Sequence, residues 1–149
     1  MNSNLSINQS LIAKIETELV INQLFKPFTE IQLNGTTVDL HNDFDCVKIK
    51  HNEYEKTLVV EFTGSNRFSE KVSLAFSEVE LIHANFSFDN IPTTITLDNF
   101  YRGRFLNSQN ELAEQNNEGK NCYYLDFCEG QACEFFTQNV YLSIENISS

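Results

Sequence analysis

The residues equipped to do chemistry are few and scattered. His41, Asp43 and Asp45 alternate along one short segment and offer a nitrogen and two carboxylates, donors that suit a divalent cation. Alternate residues of a single segment do not enclose an ion, and no His-x-x-x-His pair or Asp-x-Asp-x-Asn-Gly loop supplements them. The segment reads as a polar turn between strands, so neither a metal site nor a cofactor is expected. Nucleophilic catalysis needs a base beside an activated Ser or Cys. His83 lies in the apolar run Leu81-Ile82-His83-Ala84 and reads as a hydrogen-bonded strand histidine. Gly-x-Ser-x-Gly elbows, phosphate loops and dinucleotide fingerprints are missing, and a chain with 5 glycines has little material for phosphate cradles. No enzyme is expected.

Cys46, Cys122, Cys128 and Cys133 lack Cys-x-x-Cys spacing. A Cys128–Cys133 bridge across a hairpin is conceivable in an oxidising compartment. The spacing reads instead as reduced thiols acting as small core hydrophobes. The start, MNSNLSINQS, lacks the basic and apolar regions of a secretory signal, and no apolar run approaches the roughly 20 residues of a membrane span. A cytoplasmic location away from membranes is the expectation.

Charge is the strongest compositional signal: 21 acids against 10 bases give a formal −11 in 149 residues. Phosphate contacts are made by Lys and Arg, so nucleic acid is disfavoured. Arg102 and Arg104, flanked by Tyr101 and Phe105, form the one basic-aromatic cluster and read as a structural salt bridge or rim contact. The acids are uneven. Residues 1–71 hold 7 bases and 10 acids, a net of −3, whereas residues 72–149 hold 3 bases and 11 acids, a net of −8.

The elements that must carry these residues follow from periodicity. Ser6 with Gln9 fits a capping box. Ile7, Leu11, Ile15 and Leu19 form a stripe at helical spacing, and Pro27 ends it, so a helix is expected over about 7–25. From Thr29 the period becomes two. Asn34-Gly35 predicts a two-residue hairpin that sets Ile31 opposite Val38. A second hairpin brings Val47 and Ile49 to Leu58, Val60 and Phe62. Val60–Thr63 with Phe76–Leu81, and Leu125–Cys128 with Phe136–Leu142, share a strand pair whose phase slips after Phe76 or Phe136, which a β-bulge would produce. The likeness fits either duplication or convergent patterning. Ile95 and Leu97 suggest one more strand, and the polar stretch over about 107–121 reads as a loop. The whole is one domain, 1–149, with its β region over about 29–145. Its class is α+β, mostly β: an N-terminal helix packed on a curved, mostly antiparallel sheet or partly open barrel of about eight or nine strands.

A three-residue loop, Glu129 to Gln131, keeps Leu125, Phe127, Cys133 and Phe135 on one face of the last hairpin. It sets Asp126 opposite Glu134 on the other face, where like charges destabilise the pair unless a cation relieves them. Tyr124 and Phe136 share that face. These residues, with Glu129 and with Glu111, Glu114 and Glu118 of the polar loop, are the candidate partner-binding set, suited to a basic protein.

In size, acidity and want of catalytic residues, and in the strand patterns "VVEFTGS" to "LAFSEVEL" and "YYLDFCEG" to "FFTQNVYL", the chain resembles the small cytoplasmic immunity proteins of bacterial toxin–immunity and contact-dependent inhibition systems. That resemblance implies sequestering a basic toxin domain by covering its active site or an exosite. Two other functions stand beside it. A curved sheet lined by Phe62, Phe76, Phe86, Phe88, Phe127 and Phe135 would suit a carrier of an apolar ligand. Exposed strand edges would suit a structural or adaptor subunit.

Overall fold

A computed structural model describes residues 12–147, apart from 34, 65–69, 93, 104, 107, 108, 110, 111, 114, 117 and 118. Among the described residues there is no α-helix. The strands are β1 (Ile12–Leu19), β2 (Glu30–Leu33), β3 (Thr36–Asp39), β4 (Phe44–Asn52), β5 (Thr57–Gly64), β6 (Glu70–Ser77) and β7 (Glu80–Ala84). They continue with β8 (Leu97–Gly103), β9 (Phe105–Leu106), β10 (Leu112–Ala113), β11 (Gln115–Asn116), β12 (Lys120–Phe127), β13 (Ala132–Thr137) and β14 (Asn139–Ile147).

Two sheets hold most of the strand residues. The first runs β1-β14-β6-β5-β4; the second runs β11-β12-β13-β7, with β8 also paired to β12. Every strand pairing in them is antiparallel. The sheets are not closed into a barrel. Alternation fixes their faces: Leu58, Val60 and Phe62 of β5 and Val72, Leu74 and Phe76 of β6 are buried, as are Tyr123, Leu125 and Phe127 of β12. The two inner faces meet at Phe76, whose ring lies 4.8 Å from Phe135, 5.8 Å from Phe100 and 6.5 Å from Tyr123. The edge-on angles to Phe135 and Phe100 suit ring quadrupoles.

The helix expected over about 7–25 does not form in the part that is described; residues 1–11 lie outside it. Ile12–Leu19 is instead an edge strand, paired along its length with β14 from Ile12↔Ile147 to Leu19↔Val140. The reason is arithmetic. A spacing of four suits a helical face and is also two strand repeats, so Leu11, Ile15 and Leu19 satisfy both patterns. The charges break the tie, because Glu16 and Glu18 alternate with Ile15, Thr17 and Leu19. Those acids also blunt an exposed edge.

Other expectations fare differently. The β2–β3 hairpin has the register read from the sequence, with Ile31 opposite Val38, and Gly35 takes φ 79°. In β4 a bulge at Val47 makes Cys46, not Val47, the partner of Phe62. The phase slips after Phe76 and Phe136 mark something larger than a bulge. After Ser77 the chain leaves the first sheet for β7 of the second, and after Thr137 it leaves the second for β14 of the first. The two crossings lie side by side, joined by Gln138 N–H donating to Ser77 O at 3.1 Å and by Thr137 Oγ1 donating to the same carbonyl at 2.5 Å. Within the stretch read as a polar loop, β10 pairs β9, β11 pairs β12, and β12 already begins at Lys120.

Phe76→Ala should lower unfolding stability by about 3–5 kcal/mol, since a buried ring at the sheet interface leaves a cavity. Tyr54→Ala, at a side chain 88% exposed, should change it little. Urea midpoints at constant slope read both effects.

Candidate functional site

The outer face of the second sheet carries three of the eight predicted site residues, Tyr124, Asp126 and Glu134. A row crosses four strands: Tyr101 of β8 is opposite Tyr124 of β12, Tyr124 opposite Glu134 of β13, and Glu134 opposite His83 of β7. The Tyr101 and Tyr124 rings are 5.2 Å apart, and His83 Nε2 stands 3.6 Å from Glu134 Oε1. In the next row Asp126 lies between Asn99 and Ala132. All but His83 are half-exposed, and His83 is exposed.

The register corrects the expected pairing of acids. The hairpin loop has three residues, but they are Cys128 to Gly130, because Phe127 N–H donates to Gln131 O at 2.8 Å and Leu125 pairs Cys133. The shift preserves parity, so the faces are as read. It sets Asp126 beside Ala132 and makes its relation to Glu134 diagonal. Phe136, expected as a partly exposed aromatic, is buried at 9% exposure. Glu129 is engaged internally, accepting from Thr96 N–H at 2.9 Å. Glu111, Glu114 and Glu118 lie outside the described residues.

The electrostatics of this face are unfavourable to its acids. Burial, then the Asp98 carboxylate, pushes the Asp126 carboxyl above its ordinary range, against hydrogen bonds from Asn99 and Tyr124. Its Oδ1 is buried with no hydrogen-bond partner. Burial, with Asp126 and Glu134 as next causes, likewise raises the Tyr101 phenol. Among the described residues the face offers these acids Lys120, which Glu80 holds at 2.7 Å, and His83. Arg102 points elsewhere, donating to Ile21 O at 2.7 Å and Asn121 Oδ1 at 3.2 Å. The outer face of the first sheet is the opposite case. There Glu61 sits between Lys50 and Lys71 at 3.1 and 3.6 Å, and although burial opposes it, these lysines hold its carboxyl below the usual range.

Phe25 was missed by sequence reasoning because it fell inside the expected helix. It is 54% exposed, has φ 60° and packs its ring 5.8 Å from Tyr101, extending the aromatic row. A bulky residue at positive φ is a backbone outlier costing about 1–3 kcal/mol. Its N–H donates to Arg102 O at 2.7 Å, which holds the strained turn in place. The sequence offered one signal: an aromatic two residues before Pro27.

Three metal-capable side chains also meet at one end of this sheet. Donor atoms of His41, Asp98 and Cys128 lie within 4.8 Å of one another. The polar turn read at 41–45 is there, with Asp39 Oδ1 accepting His41 N–H at 3.1 Å and Asn42 N–H at 2.9 Å, but the His41 ring reaches away to Leu97 O at 2.7 Å. Asp43 and Asp45 take no part in the cluster. All four cysteines are free thiols; Cys46, Cys122 and Cys133 are buried and Cys128 is exposed.

No family model matches this chain, and neither a curated protein nor a solved structure shows significant similarity to it.

Asp126→Asn should stabilise the protein at neutral pH. A carboxyl whose pKa is raised on folding costs stability when ionised, and the cost disappears as pH falls through the raised folded value toward the unfolded one. Urea unfolding of both proteins should show a gain at pH 7 that shrinks toward zero near pH 4. A thiol reagent should find one accessible cysteine, Cys128, in the native protein. The others, with Cys46, Cys122 and Cys133 pushed up to about 12 chiefly by burial, should react only on unfolding.

Proposed function

We propose that this chain is an acidic binding protein that sequesters a basic protein through the outer face of β8, β12, β13 and β7. The observation that carries this is a face on which half-exposed Asp126 and Glu134 outnumber the cations around them, with Lys120 held by Glu80. An incoming Lys or Arg would supply the missing charge to the half-exposed Asp126 and Glu134 carboxylates. Beside it, Phe25, Tyr101 and Tyr124 provide aromatic surface of the kind that dominates binding energy, while Glu134 adds charge that steers encounter. The class-level resemblance to immunity proteins makes a cationic toxin domain the partner to seek first.

The apolar-carrier function has less behind it. Phe62, Phe76 and Phe135 are fully buried, and Phe76 and Phe135 pack ring against ring. Clefts lined by described residues hold about 100 to 250 Å³.

The test begins with capture of the partner from host cells and measurement of its association kinetics. Asp126→Lys and Glu134→Lys should each slow association about tenfold and flatten its salt dependence. Phe25→Ala should speed dissociation without loss of fold. Glu53→Lys, in the β4–β5 turn, should change neither rate. A partner without excess positive charge, or one indifferent to Asp126→Lys, would overturn the proposal.

A further inference from the structure

We propose that His41, Asp98 and Cys128 form a three-ligand site for Zn²⁺, bound by His41 Nε2, the Asp98 carboxylate and the Cys128 thiolate. Nitrogen, oxygen and sulfur donors together suit a borderline divalent ion such as zinc rather than calcium or magnesium, which take oxygen alone. Three protein ligands leave the fourth tetrahedral position open to water.

Three features of the backbone build the site. His41 Nδ1 lies 2.7 Å from the Leu97 carbonyl. A carbonyl only accepts, so Nδ1 carries the proton and Nε2 is left with its lone pair, the orientation that ligating histidines require. Asp98 is the extra residue of a bulge, since Asn99 pairs Asp126 and Leu97 pairs Phe127. Bulges re-aim side chains, and this one turns an exposed carboxylate toward the β12–β13 loop. Cys128 heads that loop, its N–H donating to Thr96 O at 2.8 Å, which ties it to the segment that carries Asp98.

Zinc–ligand bonds of about 2.0–2.3 Å place tetrahedral donor atoms about 3.3–3.8 Å apart. The present 4.8 Å limit must therefore contract by about 1 Å. Asp98 and Cys128 are exposed and can supply that by side-chain rotation, while His41 stays anchored. Binding displaces the thiol proton to solvent and joins the β3–β4 turn to β8 and the β12–β13 loop.

The test uses this chain untagged, reduced and metal-stripped, with Co²⁺ as spectroscopic probe and Zn²⁺ as competitor. One Co²⁺ per chain should bind with a sulfur-to-metal charge-transfer band in the near ultraviolet, and one equivalent of Zn²⁺ should erase it. Cys128→Ser should abolish the band. His41→Gln and Asp98→Asn should each weaken Zn²⁺ binding at least tenfold. Circular dichroism confirms that the variants fold, as expected for exposed or half-exposed positions. The proposal is overturned by an absent band, by a band that survives Cys128→Ser, or by unchanged Zn²⁺ affinity in either His41→Gln or Asp98→Asn.

Discussion

The packing of Phe76 against Phe100, Tyr123 and Phe135 is the contact on which the faces of this protein depend. In a strand the side-chain period is two, so fixing one inward residue fixes the rest of that strand, and pairing carries the choice to its neighbours. With Phe135 inward, Glu134 must face out; with Tyr123 and Leu125 inward, Tyr124 and Asp126 must face out. The crossings at Ser77 and Thr137 serve the same contact. They let each chain segment change sheet and change phase, so that Phe76 and Phe135 point at each other from opposite layers.

What was legible in the sequence was parity, and what was not legible was partnership. The Asn34-Gly35 turn sets its own register, because two residues and a positive φ permit one geometry. The last hairpin has no such device. Loops over Cys128–Gly130 and over Glu129–Gln131 are both three residues long and keep the same residues inward, so the pattern could not choose between them. For β1, helical and strand spacing coincide at four, and its pairing with β14, more than a hundred residues away, decided the outcome. The His41 cluster was beyond reach for the same reason. Its members come from three distant segments, and the residues adjacent in sequence, Asp43 and Asp45, were the wrong companions.

The two outer faces divide the charge in a way that composition could not show. On the first sheet Lys48, Lys50 and Lys71 surround Glu61, and Lys71 also pairs across the ladder with Glu145. On the second, Lys120 serves Glu80, and Arg102 serves a backbone carbonyl. The same side chain type is thus stabilised on one face and penalised on the other: the Glu61 carboxyl lies below its ordinary range and that of Asp126 above it. Net charge is a sum over both faces, and it hides the difference between them on which the proposed binding role rests.

Folding alone does not account for that second face. Sequences that fold well are consistent from level to level, and departures concentrate where a surface is shaped by another demand. Here the departures are of unrelated kinds: a carboxylate oxygen without a donor at Asp126, and a bulky residue held at positive φ at Phe25. One is electrostatic and the other conformational, and neither relieves the other. They are linked through one aromatic row, since Phe25 packs on Tyr101, Tyr101 on Tyr124, and Tyr124 hydrogen-bonds Asp126. Two independent costs thus meet on one face, while the outer face of the other sheet compensates its Glu61, and the binding role proposed for the second face is one that would offset both.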